Sequence, residues 1–357
     1  MHKFYTSSYD ASVYLQQPDQ NAGRDEILEV GKLYYGGVKD ITRTFIKFDV
    51  LNLETGSGWK AYLNFKSANS EEIPLEYTIY ANAVSQSWIM GTGTKFDNIS
   101  SDGISWKYRN GIDSWQDNVI GGTAVFTPGT TGSANAEGGT WYTGSEASQS
   151  FNNEPDDIRM DVTGIVNLWL SGSLSNNGFV IHHSLNAEND SLDYGVLKFF
   201  SKETNTIYQP KLEIVWDDSV FNTGSLSPIT GSTSTDALEN SKVVVTNLQK
   251  EYFQNTKTKV RVKGRDLYPS KSFGTTFEYD QSKYLPTSSY YQIEDYRTNE
   301  IVVPFGQYSK LSCDSKSNYF YLDTNTYPTN RTYRLKIKVE VSSVSKIIDD
   351  KLIFDVI

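Results

Sequence analysis

Three histidines, His2, His182 and His183, are the residues most able to do chemistry in this chain of 357. His182 and His183 cannot place both rings on one face of a strand, because neighbours there point to opposite sides. A transition-metal centre needs further ligands at short spacing, and with Cys313 the lone cysteine no Cys/His cluster supplies them. Asp156-Asp157 and Asp217-Asp218 offer the oxygen ligands a structural Ca²⁺ takes, but no calcium-loop spacing surrounds them. Solvated acids at strand ends are the simpler account. The chain has 43 Asp and Glu, yet a carboxylate pair for glycoside hydrolysis means something only at a set separation across a cleft. A GxSxG elbow, a phosphate-cradling glycine loop and an HExxH helix are all absent from the sequence. The sequence thus names no catalytic, metal-ligating or cofactor-binding residue, and it predicts a non-enzymatic protein without a cofactor.

Recognition is better represented than catalysis. Trp106, Tyr108, Trp115, Trp141 and Tyr142 fall in a loop-rich region from Ser87 to Ser150, which also holds Trp88. So long an irregular segment inside a compact domain is usually functional or interface-forming. Exposed rings there would cover the C–H face of a sugar; buried ones would pack beneath the loops or against a neighbouring subunit. A second motif is electrostatic. Lys259, Arg261, Lys263 and Arg265, and again Arg334, Lys336 and Lys338, alternate with apolar residues and give two basic strand faces. These are solvated sheet faces or docking faces for acidic partners, the acidic first domain of another copy included. The net charge of -10 argues against nucleic acid, which requires clustered cations overall.

The elements that must position these residues are mostly strands. Aromatics make up 13% of the chain, with 24 Tyr among frequent Ser, Thr, Asn and Gly. Short alternating runs appear at Val13 to Leu15, Ile27 to Val30, Thr42 to Val50, Ala61 to Phe65, Leu75 to Val84 and Lys211 to Trp216, with turn-rich spacers between them. In Thr42 to Val50, Thr44, Ile46, Phe48 and Val50 share one face and Lys47 and Asp49 the other. From Asp156 to His183 a strand (Ile158, Met160, Val162) leads into a short helix. Its apolar face is Val162, Ile165, Val166, Trp169 and Leu170, with Asp161 as N-cap and Gly172 as left-handed stop. Trp169 belongs to the core. Asn176-Asn177-Gly178 then turns the chain into a strand from Phe179.

Residues 218–238 lose periodicity and gain Ser, Thr, Gly and Pro, which predicts a linker between domains 1–217 and 239–357. The second domain has strand patterns near 242–248, 258–264, 272–278, 291–296, 300–304, 319–323, 332–342 and 351–356, as an immunoglobulin-like sandwich would. The expected architecture is all-β: a jelly-roll-like sandwich with one short helix, then an immunoglobulin-like sandwich. No apolar run approaches the roughly 20 residues that span a bilayer, so no membrane partner is expected. The start, MHKFYTSSYD, lacks a hydrophobic signal core. With a single cysteine, this fits assembly in a reducing cytosol.

Residues 5–217 resemble the DNRLRE-type β-sandwich domains, which are related to family-96 carbohydrate-binding modules. The resemblance is carried by Asp10 to Tyr14 with Gly23, Ile27 to Val30, Arg43 to Asp49 (RTFIKFD), Ser87-Trp88, Gly91-Thr92-Gly93 and Gly103 to Trp106. It continues in Asp161-Val162-Thr163 through Trp169, Asn177-Gly178-Phe179, Lys198 to Glu203 and Pro210-Lys211-Leu212. Each piece is common; their order and spacing together carry the likeness. The segment MGTGTKFDNISSDGISWKYRNG, with a tail holding Val302 to Phe305 and Tyr308 to Ser312, is similar to structural proteins of tailed bacteriophages, those of marine and cyanobacterial phages above all. That resemblance implies a virion component assembled in the host cytoplasm, whether capsid decoration, neck, tail or baseplate. Its partners would be other virion proteins and copies of itself. The alternative is a carbohydrate-binding adhesin that recognises host surface polysaccharide.

Overall fold

A computed structural model of the chain describes residues 1–49, 53–68, 76–116, 125–126, 137–152, 157–268, 282–325 and 327–357. Among these residues the protein is all-β, with three short α-helices. The expected strand near 272–278, and Val50, Leu75 and Asp156, lie outside the described residues. The chain divides into two compact units. The N-terminal unit is Phe4–Glu54 with Lys60–Ile214, and the C-terminal unit is Val215–Ile357 with Met1–Lys3 and Thr55–Trp59.

The N-terminal unit is built from most of β1 (His2–Thr6, whose first two residues count with the C-terminal unit), β2 (Tyr9–Tyr14), β3 (Ile27–Tyr35), β4 (Val38–Lys47), β5 (Lys60–Phe65), β6 (Tyr77–Ala83), β7 (Val125–Phe126), β8 (Trp141–Tyr142), β9 (Ala147–Phe151) and β10 (Ile158–Asp161). Helix α1 (Thr163–Leu170), β11 (Phe179–His183), α2 (Leu185–Asn189), β12 (Gly195–Phe200) and β13 (Lys211–Val215) complete it. One sheet runs β1-β13-β5-β10 and the other β12-β3-β4-β11-β6-β9, with β2 also paired to β4. Aromatic rings fill the space between the sheets: Phe65 of β5 lies 5.6 Å from Phe199 of β12. Helix α1 supplies Ile165, Val166 and Trp169 to the same interior, and the Trp169 ring sits 4.6 Å from Phe179.

The helix differs in detail from its sequence pattern. It begins one residue later than expected, with Val162 in the N-cap position and no side-chain cap; the Asp161 carboxylate instead accepts from the Thr163 N–H at 3.1 Å. Leu170 is exposed, whereas Gly172 takes the left-handed conformation (φ +73°) that ends the helix.

Strand β4 departs further. Alternation predicted one buried face, but Arg43, Thr44, Phe45 and Ile46 are all buried. The cause is a third layer, because the loops after β6 fold back over the outer face of the larger sheet. Ala11, Val13, Ile41, Phe45 and Val180 there meet Trp88, Met90, Ile104, Trp106, Trp115 and Trp141 in one apolar cluster.

The C-terminal unit contains β14 (Ser227–Pro228), α3 (Ser234–Glu239), β15 (Ser241–Val245), β16 (Glu251–Tyr252), β17 (Lys257–Asp266), β18 (Lys283–Tyr284), β19 (Ser289–Asp295), β20 (Ile301–Val303), β21 (Ser312–Cys313), β22 (Asn318–Asp323), β23 (Arg331–Val341) and β24 (Val344–Val356). Its sheets run β14-β18-β17-β22-β21, with β15 on β17, and β16-β24-β23-β19-β20. Val260, Val262 and Phe320 of one sheet and Tyr291, Ile293, Leu335, Ile337 and Val339 of the other form the core, where the Tyr291 and Phe320 rings stack at 4.2 Å. Residues 218–238, read from sequence as a linker, carry structure of their own. Ser227 and Pro228 pair in parallel with Lys283 and Tyr284, and Thr233 caps α3 by accepting from the Asp236 N–H.

Candidate interaction site

The loop layer over the N-terminal sheet is pinned from below. The Asn21 side chain donates from Nδ2 to the carbonyls of Met90 and Ile104, both at 2.7 Å, and its Oδ1 accepts from Gly93 N–H at 2.8 Å. One buried amide thus ties three loop segments together. Gly91 and Gly103 pack so closely here that a Cβ on either would collide with Asn21. The Asp102 carboxylate, accepting from the Thr92 and Ser100 hydroxyls, is held below its ordinary pKa by those bonds and serves as a surface tie.

Beneath the layer lies a charged cluster that sequence reasoning missed. Arg43 donates from Nε to Glu188 Oε1 at 3.0 Å and from Nη2 to Glu188 Oε2 at 2.5 Å, and both side chains are buried. The guanidinium is sandwiched between Trp106 (4.7 Å) and Trp141 (5.2 Å), and Nη1 donates to the Gly138 carbonyl at 2.8 Å. Burial pushes the Glu188 carboxyl up, but the charge and hydrogen bonds of Arg43 outweigh it and hold the group below its usual range. Helix α2 places Glu188; Ser184 caps it by accepting from Ala187 N–H. The available signal was an arginine at an otherwise apolar strand position, which demands a buried partner.

The five expected contact residues are not brought together on the surface. Trp106, Trp115, Trp141 and Tyr142 are buried, Trp115 completely, and only Tyr108 is half-exposed. The expectation that these rings face a sugar or partner is corrected for those four. The three tryptophan rings meet Arg43, Phe45 (5.3 Å from Trp115) and, for Trp141, His182 at 4.5 Å. His182 Nε2 meets Asn82 Oδ1 at 3.0 Å, and the His183 ring packs against Tyr77 and Tyr194. Burial pushes both imidazoles down to about 4. Among the described residues no group of three or more His, Cys, Asp or Glu side chains could hold a metal ion. Asp157 is engaged by Lys66 and the Ser67 N–H, and Asp217 by Ser219 and Lys310. Cys313 is buried; burial, then Asp314, raises its thiol to about 11, where little thiolate forms.

Among polar neighbours such as Asp97, Asn98, Asp102 and Asp113, the pinned layer presents four large apolar side chains outward. Phe96 is 88% exposed, Ile112 82% and Ile99 72%, and Ile89 is also open. Backbone contacts hold these segments side by side: Ile89 N–H donates to Arg109 O, Ile104 N–H to Ile89 O, and Gly111 lies against Ser101. Large apolar side chains left exposed on tied-down loops are candidates for a contact surface.

No helix among the described residues is long and apolar enough to cross a membrane. No protein-family model and no curated protein matches the chain. One solved structure similar to it is a DUF4785 family protein from Legionella pneumophila, at 9% identity and a TM-score of 0.20. That match covers 99% of this chain and 61% of the other.

Proposed function

We propose that this chain is a non-enzymatic structural component of a bacteriophage virion and that it works by assembly contacts. The virion assignment rests on the resemblance of its sequence segments to tailed-phage structural proteins. The contact role rests on one observation, the exposed Ile89, Phe96, Ile99 and Ile112 on a loop layer fixed by Asn21 and backed by tryptophans. Ordered loops lose little conformational entropy on docking, so apolar area covered there converts efficiently to affinity. Glycan recognition has weaker support, because four of the five rings that would stack on a sugar are buried.

The test is incorporation. Phage particles produced in cells expressing tagged chain are purified on a gradient and their proteins quantified by mass spectrometry. The reading predicts the chain at a fixed copy number, with Phe96→Asp/Ile112→Asp excluded although it folds. Absence of the wild-type chain from particles contradicts the reading.

A further inference from the structure

The two units differ sharply in charge. By sequence, the N-terminal unit holds 14 Lys and Arg against 26 Asp and Glu, a formal -12. The C-terminal unit holds 19 against 17, a formal +2. Within the C-terminal unit the cations are not spread evenly. The β15–β17 and β17–β22 registers set Lys242 beside Arg265, Val244 beside Lys263, Arg261 beside Tyr319, Lys259 beside Tyr321 and Lys257 beside Asp323. Val260 and Val262 point inward, so one outward sheet face collects Lys242, Lys257, Lys259, Arg261 and Arg265, with Lys263, itself engaged, on the same side. Among the described residues, the carboxylates that register and ion pairing place on this face are Asp314 and Asp323. Asp314 alone bridges Lys259 (2.9 Å) and Arg261 (3.0 Å); those hydrogen bonds, the Arg261 one first, hold its carboxyl far below the ordinary range.

The other basic strand is different. On β23, Arg334 pairs with Asp349, Lys336 with Glu294 and Lys338 with Glu340, so its cations are neutralised one for one. The two tyrosines on the β17 face do not form a bare sugar platform either. Lys259 Nζ sits 3.4 Å from the Tyr319 ring centroid and Lys257 Nζ 5.3 Å from that of Tyr321. The rings support cations rather than offering their faces to a ligand.

We propose that the β15–β17–β22 face is a docking surface for the acidic N-terminal unit of a second copy of this chain. The occupant follows from charge: the strongest complement to a cationic sheet face here is a unit of the same protein with an excess of 12 negative charges. Such a contact joins two different surfaces, so it is head-to-tail and builds a ring if it closes or a filament if it does not. It rests on the assembly reading and adds to it a self-contact with defined ends.

Sedimentation velocity of the full chain tests this at about 20 mM and about 500 mM NaCl, where the Debye length falls from roughly 20 Å to roughly 4 Å. The expected result is concentration-dependent growth beyond a single chain at low salt and a monomer at high salt. Lys242→Glu/Lys257→Glu alters two exposed side chains and should leave folding intact, which circular dichroism checks. Alone it should stay monomeric at low salt. Labelled and mixed with wild type it should still co-sediment, since it keeps its acidic end and terminates growing assemblies. Wild type that is monomeric at low salt, or a variant that associates like wild type, overturns the proposal. A variant that fails to join wild type overturns the head-to-tail geometry. If wild type is monomeric yet present in particles, the self-contact falls and the assembly reading stands.

Discussion

Arg43 and Glu188, 145 positions apart, meet as a bidentate ion pair buried between two tryptophans. Removing one partner strands a charge where water cannot reach it, which costs about 3–5 kcal/mol. Arg43→Met and Glu188→Leu should each lower unfolding stability by that order. The double variant should lose much less than the sum, because neither charge is then left alone. Urea denaturation of the four proteins checks it; additive losses contradict the pairing.

The interior histidines predict loss of stability in acid. His182 and His183 titrate near 4 when folded because burial disfavours their charged forms, against an ordinary value of 6.5. Below 6.5 the unfolded chain takes up protons that the folded chain refuses, so stability falls from pH 6.5 to pH 4. Each ring contributes roughly 2–3 kcal/mol to that loss. Among the described residues neither ring nitrogen of His183 has a hydrogen-bond partner. His183→Phe should therefore flatten the acid limb without loss at pH 7, as thermal melts across pH would show.

Asp10 acts in the opposite sense. Burial raises its carboxyl from 3.8 to about 7, even though it accepts from the Lys202 N–H at 2.7 Å. A raised carboxyl contributes stability below the unfolded value of 3.8 and loses it as pH rises through 7. Asp10→Asn should gain stability over wild type at pH 8 and gain nothing at pH 3. An equal gain at both values would show that ionisation is not the cause.

Gly138 and Gly139 have φ of +77° and +98°, and a Cβ on either would fall on the Arg43 guanidinium or the Phe45 ring. Gly139→Ala should cost about 1–3 kcal/mol from backbone strain and overlap together. Trp115→Ala opens a cavity beside Phe45 and should cost about 3–5 kcal/mol. A stable, soluble Trp115→Ala protein that lost only ligand binding would restore the glycan reading for this ring.

Strand identity was the most legible feature of the sequence. The alternations at Ala61 to Phe65 and Leu335 to Val341 each mark a strand that is found there, since period-two burial survives wherever one sheet face meets the core. The helix holding Trp169 was legible through its 3.6-residue apolar period, which sets Ile165, Val166 and Trp169 on one face. What the alternation could not show is the third layer. Six consecutive residues of β4, Ile41 to Ile46, are buried because loops from far along the chain cover its outer face, and no local pattern around Arg43 encodes Glu188. The aromatics of the loop region were visible as residues but not as buried ones; their burial depends on the Asn21 tie and on glycines that let the loops close. The outward Phe96, Ile99 and Ile112 looked like ordinary loop residues, because exposure is a property of packing rather than of sequence spacing.

Side-chain oxidation footprinting of the chain, free and inside purified particles, tests the contact role most directly. The account predicts that Phe96 and Tyr35, both highly exposed in the chain, are labelled in the free protein, and that Phe96 becomes protected in the particle. Equal labelling of Phe96 in both states would contradict it.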